Sequence, residues 1–180
     1  MRPAQTIALI LVVGIAGVLA WASTRPDTFR IERRVVIQAP PEAIYSLIDD
    51  YRGWALWSPW AKKDPAMRQT YSGADSGLGA VYEWSGNREV GAGRMEIIQA
   101  VPPLKLAIDL HFTEPFDAQN TAEFVLEPAG DRTTVSWVMS GPSPYLARVL
   151  GLFFSMDEMV GRDFESGLAA LKAAAEDREP

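Results

Sequence analysis

Residues 143–175 read SPYLARVLGLFFSMDEMVGRDFESGLAALKAAA, and this stretch decides the fold. Leu146, Val149, Leu150, Phe153, Met156, Met159, Val160, Phe164, Leu168 and Leu171 recur three or four residues apart, the period of a helix with one apolar face. Ser143 before Pro144 reads as an N-cap followed by a first helical residue that needs no backbone donor. Ser155 and Glu158 form a second start signal, a capping box, with Gly151 just ahead of it. The spacing therefore predicts a short helix that hands over near residue 154 to a main one. A helix of roughly 20 residues with so broad an apolar face requires an apolar surface of similar breadth to cover it.

Residues 68–140 supply that surface as a run of strands separated by turn signals: 68–72, 80–85, 91–100, 104–112, 118–126 and 133–140. Short turns between consecutive strands imply an antiparallel meander, because parallel neighbours need crossovers of a dozen or more residues. At period two, Tyr82, Trp84, Met95, Ile97, Leu106, Ile108, Leu110, Phe112, Ala122, Phe124, Leu126, Val135, Trp137 and Met139 fall on one face. The other face carries Glu83, Arg94, Glu96, Lys105, Asp109, His111, Glu123, Glu127, Thr134 and Ser136. Gly77 and Gly79 precede a strand and do not join a strand to a helix, so they read as a turn and not as a phosphate loop.

Ahead of the sheet, residues 29–38 (FRIERRVVIQ) read as a first strand, and Pro41 opens a short amphipathic helix carrying Ile44, Leu47 and Ile48. Residues 54–60 then place Trp54, Trp57 and Trp60, three of six tryptophans, within seven positions. Such rings either cap one end of the core or form part of a pocket wall.

Outside this domain, residues 1–25 have no charge between Pro3 and Thr24, and an apolar core at 7–22 rises about 24 Å as a helix. Three readings stand: a single-pass membrane anchor with Trp21 at the interface, a secretory signal cleaved after Ala20-Trp21-Ala22, or a helix buried in the domain. The first is preferred. The arginines at 25, 30, 33 and 34 favour a cytoplasmic domain and the signal-like layout favours export, which leaves the side of the membrane open. The net charge is −6, and with Arg2 and Arg25 set aside the remainder carries 15 basic against 23 acidic side chains. That balance argues against a nucleic-acid partner. With no cysteine and one histidine, His111, the chain offers no disulfide, thiolate nucleophile or zinc pattern, and no motif calls for a cofactor. His111 points away from the apolar face by alternation.

Three stretches, APPEAIY (39–45) with YRGWALWSPW (51–60), GLGAVYEW (77–84) and FESGLAAL (164–171), resemble the polyketide cyclase/dehydrase-like branch of the START-like (SRPBCC) superfamily. The resemblance spans about residues 28–175, between the hydrophobic segment 1–25 and a polar tail at 176–180. It implies an α+β helix-grip fold: a curved antiparallel sheet of about seven strands wrapped around a long C-terminal helix. Members of this group enclose an apolar cavity between sheet and helix, and include lipid carriers, hormone receptors, aromatase/cyclases and chaperone activators. The expected function is thus a membrane-tethered binding module for a hydrophobic small molecule or lipid. Candidate contacts are Trp57, Trp60, Tyr82, Trp84, Met95, Leu110, Phe112, Phe124, Trp137 and Met139, with Met156 and Val160 from the helix. No catalytic residue is assigned. One alternative is a cyclase or dehydrase-like enzyme with Tyr82 as its polar participant. Another is a packed domain serving protein partners, against which an enclosed void beside Trp84 and Trp137 would count.

Overall fold

The computed structural model describes residues 3–177. After an N-terminal helix α1 (Pro3–Ser23), the chain runs β1 (Thr28–Ile37), α2 (Pro41–Ile48), a 3-10 helix (Tyr51–Leu56) and α3 (Pro59–Lys63). It continues through β2 (Arg68–Gly73), β3 (Ala80–Ser85), β4 (Ala92–Val101), β5 (Lys105–Glu114), β6 (Ala118–Ala129) and β7 (Arg132–Pro142), and ends with α4 (Tyr145–Leu150) and α5 (Met156–Glu176). The strands form one antiparallel sheet of order β1-β7-β6-β5-β4-β3-β2, a six-strand meander with β1 added beside the last strand. This is the helix-grip architecture.

Curvature has identifiable sources. Register shifts at Ala92/Gly93 and Ile97/Gln99 bend β4, as bulges do. Strand β6 runs past its predicted end at residue 126, through Pro128, and reverses at Gly130 and Asp131, with Gly130 at a φ of 69°. At the opposite edge Gly73 also has positive φ, and a Cβ there would collide with the carbonyl of Gly79.

The inward sheet face and one side of α5 close over a single core that includes Ile97, Ile108, Phe124, Leu126, Val135, Trp137, Phe164, Leu168 and Leu171. The predicted stripe of the last stretch divides at its break. From Val160 onward it faces the sheet, whereas Leu146, Leu150, Phe153, Met156 and Met159 are exposed. The cause is the turn at 151–155, which points α4 off the sheet and onto α1. Ser155 caps α5 as expected, its Oγ accepting from the Glu158 amide at 3.2 Å. Ser143 does not cap α4. Its amide instead extends the β1–β7 edge by donating to the Asp27 carbonyl at 2.6 Å, and Pro144 takes the cap position.

Helix α5 is clasped to β1 through Arg33, whose guanidinium donates to Glu165 at 2.7 Å and to Asp157 at 3.0 Å. Gly161 makes room, since a Cβ there would strike that guanidinium. The arginines Arg30, Arg33 and Arg34 thus pair within the folded domain. At the other end, Glu176 accepts from the Gln38 amide at 2.7 Å, so the predicted polar tail begins inside the helix. Residues 178–180 lie outside the described residues.

In α1, residues 5–23 form a helix long and apolar enough to cross a membrane by length and composition. Ile7, Ile10, Leu11, Val12, Val13, Ile15 and Trp21 are exposed, which removes the reading of α1 as a core helix of the domain.

Candidate functional site: an apolar cavity beneath the C-terminal helix

A cavity of about 180 Å³ lies between the concave sheet face and the N-terminal half of α5, closed from the side by the 3-10 helix and α3. At roughly 10–15 Å³ for one water-sized sphere, it holds on the order of a dozen such positions. Nine of the twelve predicted contacts line it: Trp60, Tyr82, Trp84, Met95, Leu110, Phe112, Trp137, Met139 and Val160. The other three do not. Trp57 is fully buried in the core, with Nε1 donating to the Leu47 carbonyl at 2.8 Å. Phe124 lies beneath Trp137, the rings stacked at 4.9 Å. Met156 sits in the first turn of α5, outside the wall.

Aromatic packing positions the wall. Trp137 stands between Phe124 and Phe164, the latter nearly parallel to it at 4.0 Å, and takes edge contacts from Trp54, Trp57 and Trp60. Gly167 lets α5 approach this stack, since a Cβ there would lie 2.8 Å from the Trp137 ring. On the far side Trp84 covers Gly93, and its Nε1 donates to the Val90 carbonyl at 3.0 Å. Lys63 on α3 and Asp163 on α5 pair at 2.7 Å across the rim.

Several wall residues escaped the candidate contacts. Tyr51 comes from the 3-10 helix, as does Trp54, which the sequence placed in the tryptophan cluster but not among the contacts, and Gln69 and Tyr71 come from β2. Alternation could have found the last two, because positions 69 and 71 share a face. Tyr51, Tyr82 and Tyr71 form a row of phenols with centroids 5.7 and 5.4 Å apart. Burial pushes the pKa of each above the ordinary tyrosine value, so all three remain neutral donors near neutral pH.

Two residues of this wall, Tyr51 and Trp137, each hold a buried polar atom, Oη and Nε1, that has no hydrogen-bond partner in the protein. Among the described residues the other orphaned buried side-chain atoms, Tyr45 Oη and Arg148 Nε, belong to residues outside the wall. His111 lies apart from the cavity and pairs with Asp117 at 3.2 Å. Among the described residues no group of three His, Asp or Glu side chains has an arrangement that could hold a metal.

A curved sheet gripping a long helix over an apolar cavity defines the helix-grip class of ligand-binding and cyclase-like proteins. A family model described as polyketide cyclase/dehydrase and lipid transport matches residues 28–176, and the chain belongs to that family. No curated protein matches it. Among solved structures it is similar to a Thermobifida fusca protein determined by NMR, at 22% identity and a TM-score of 0.61, covering 83% of this chain and 95% of that one. It is also similar to the Aha1 dimer from Colwellia psychrerythraea, at 20% identity and 0.58, covering 82% and 96%. A third similar structure is DynU16, a putative protein in the dynemicin biosynthetic locus, at 16% identity and 0.59, covering 87% of this chain and 49% of that one. At these identities the likeness is one of fold.

Proposed function

We propose that this protein is a membrane-tethered binding module whose cavity holds a mostly apolar small molecule or lipid carrying one or two polar groups. The observation behind this reading is a mostly apolar cavity, two of whose lining residues, Tyr51 and Trp137, hold buried polar atoms without a partner. A buried donor without a partner costs free energy, and a ligand acceptor at Trp137 Nε1 or a polar group at Tyr51 Oη removes that cost. The void beside Trp84 and Trp137 also weighs against a fully packed domain serving only protein partners. Helix α1 supplies the tether.

A second reading, a cyclase or dehydrase-like enzyme, draws on the phenol row. With its pKa raised, Tyr82 serves poorly as a base but well as a hydrogen-bond donor to a developing oxyanion. Shaping a flexible chain in such a cavity would supply the remainder.

The test is native mass spectrometry with solvent extraction on the full chain, taken from its own host in polymer-bounded lipid discs. A stoichiometric apolar compound, lost in a folded Met139→Trp variant that fills the cavity, is expected. An empty protein that takes up no apolar fluorescent probe would remove both ligand readings. Turnover of a recovered compound that stops in Tyr82→Phe would select the enzyme.

A further inference from the structure

The exposed first half of the 143–175 stripe needs an account that the cavity does not supply. Residues 149–156 (VLGLFFSM) carry no charge, and they place Leu150, Phe153, Phe154 and Met156 on the surface, next to Leu146 and Met159. Leu146 is 69%, Phe153 66%, Phe154 63% and Met159 59% exposed. Side chains this large and this close together form the kind of patch that marks an interaction site.

The position of this elbow names the occupant. Helix α4 packs on the C-terminal end of α1, where Tyr145 Oη donates to the Leu19 carbonyl at 2.8 Å and Arg148 to the Arg25 carbonyl at 3.2 Å. The end of α1 carries Trp21, a residue suited to the membrane–water boundary, and Arg25 follows just after the helix, its guanidinium 5.3 Å from the Trp21 ring centre. A bilayer crossed by α1 therefore meets α4 at the level of its own interface. The strand register adds Phe116, because Thr121 pairs with Ser140 and so brings the β5–β6 turn to the same end of the sheet. The charges bordering the elbow are mixed: Arg148 and Arg162 beside Asp157 and Glu158. Apolar insertion, not attraction to anionic headgroups, is then the driving force.

We propose that the elbow formed by α4 and the first turn of α5 lies in the headgroup–acyl boundary of the same bilayer that α1 crosses. The inference rests on α1 being the anchor. It adds a second, reversible contact that fixes how the domain is oriented, with the cavity residue Val160 one position beyond the inserted Met159.

The absence of native cysteine allows clean single-site labelling of the full chain. Spin labels at Leu146→Cys, Phe153→Cys and Met159→Cys would be read in lipid discs holding one chain each. Leu78→Cys and Leu104→Cys, on exposed turns at the far end of the sheet, serve as water references, and Ile10→Cys serves as the reference within α1. Expected is a loss of accessibility to a water-soluble nickel chelate, with a gain of oxygen accessibility, at Ile10 and at the three elbow sites, but not at 78 or 104. The effect should persist in discs without anionic lipid. Lipid-protected Ile10 with water-accessible elbow sites would overturn the elbow while leaving the anchor intact. Water-accessible Ile10 would overturn the anchor, and the elbow with it. Elbow protection only in multi-chain vesicles, with spin–spin broadening between labels, would show a second copy covering the face and overturn the proposal.

Discussion

Changing Tyr51→Phe removes one oxygen atom and keeps the ring. That ring packs edge-on against Trp54 at 5.2 Å and beside Tyr82 at 5.7 Å, contacts that phenylalanine retains. The hydroxyl itself is buried and unpartnered, and a buried polar group in that state costs about 1–3 kcal/mol. Allowing for the one-atom gap left behind, the ligand-free variant should be more stable by about 1 kcal/mol, which raises Tm by roughly 2–4 °C for a chain of this size. With ligand bound the sign reverses. A hydrogen bond of about 0.5–1.5 kcal/mol is lost, so affinity for a compound that engages Tyr51 should fall roughly two- to tenfold. Urea denaturation of the delipidated protein, paired with titration of the extracted compound, reads both quantities. A variant that loses stability when empty and binds unchanged would refute the reasoning, because it would mean that the hydroxyl has a partner inside the protein and none in the ligand.

The same phenols set an alkaline limit. Burial raises the pKa of Tyr51 and Tyr82, so the folded state keeps protons that the unfolded state releases. Stability is fully present below the ordinary tyrosine value near 10 and should fall progressively as pH rises above it, towards the raised folded-state values, less steeply in Tyr51→Phe, as followed by the urea midpoint. Phe164→Ala removes the ring stacked on Trp137 and should cost about 3–5 kcal/mol in the same assay, with an enlarged cavity. Gly167→Ala places a methyl against that ring and Pro59. It should destabilise by about 1–3 kcal/mol despite better helix propensity, and a neutral result would mean that α5 can shift. Arg33→Met should release the start of α5, visible as faster amide exchange at 156–162 with little change in global stability, since the clasp is half exposed.

Much of the fold was legible because its signals are local. Alternation on β3 to β7 assigned the inward face correctly, down to Trp137 and Met139. The cap at Ser155 marked the start of α5, and Pro41 the start of α2. What failed depended on tertiary direction. The period of residues 146–159 is truly helical, but periodicity does not say which surface a stripe meets, and the turn after Gly151 sends that stripe away from the sheet. The site divided in the same way. Inward alternation found the cavity wall contributed by β3 to β7 and missed Gln69 and Tyr71 on β2, whereas Tyr51 and Trp54 sit on a 3-10 helix whose path no pattern specifies. Trp57 and Trp60 looked alike in sequence, yet the reach of one indole N–H to the Leu47 carbonyl put the first in the core and the second on the wall.

Only four residues, 24–27, separate α1 from β1, a connection that spans at most about 14 Å when fully extended. If α1 is the tether, as proposed, a binding domain held through so short a link cannot carry cargo across the aqueous compartment. Under that proposal it works as a two-dimensional device. Its ligand pool is then the lipid phase within one molecular diameter, where a poorly water-soluble compound reaches high effective concentration, and its range is set by lateral diffusion instead of by release and recapture. Delivery over any longer distance falls to a second carrier, or to a membrane brought close enough for the domain to touch both.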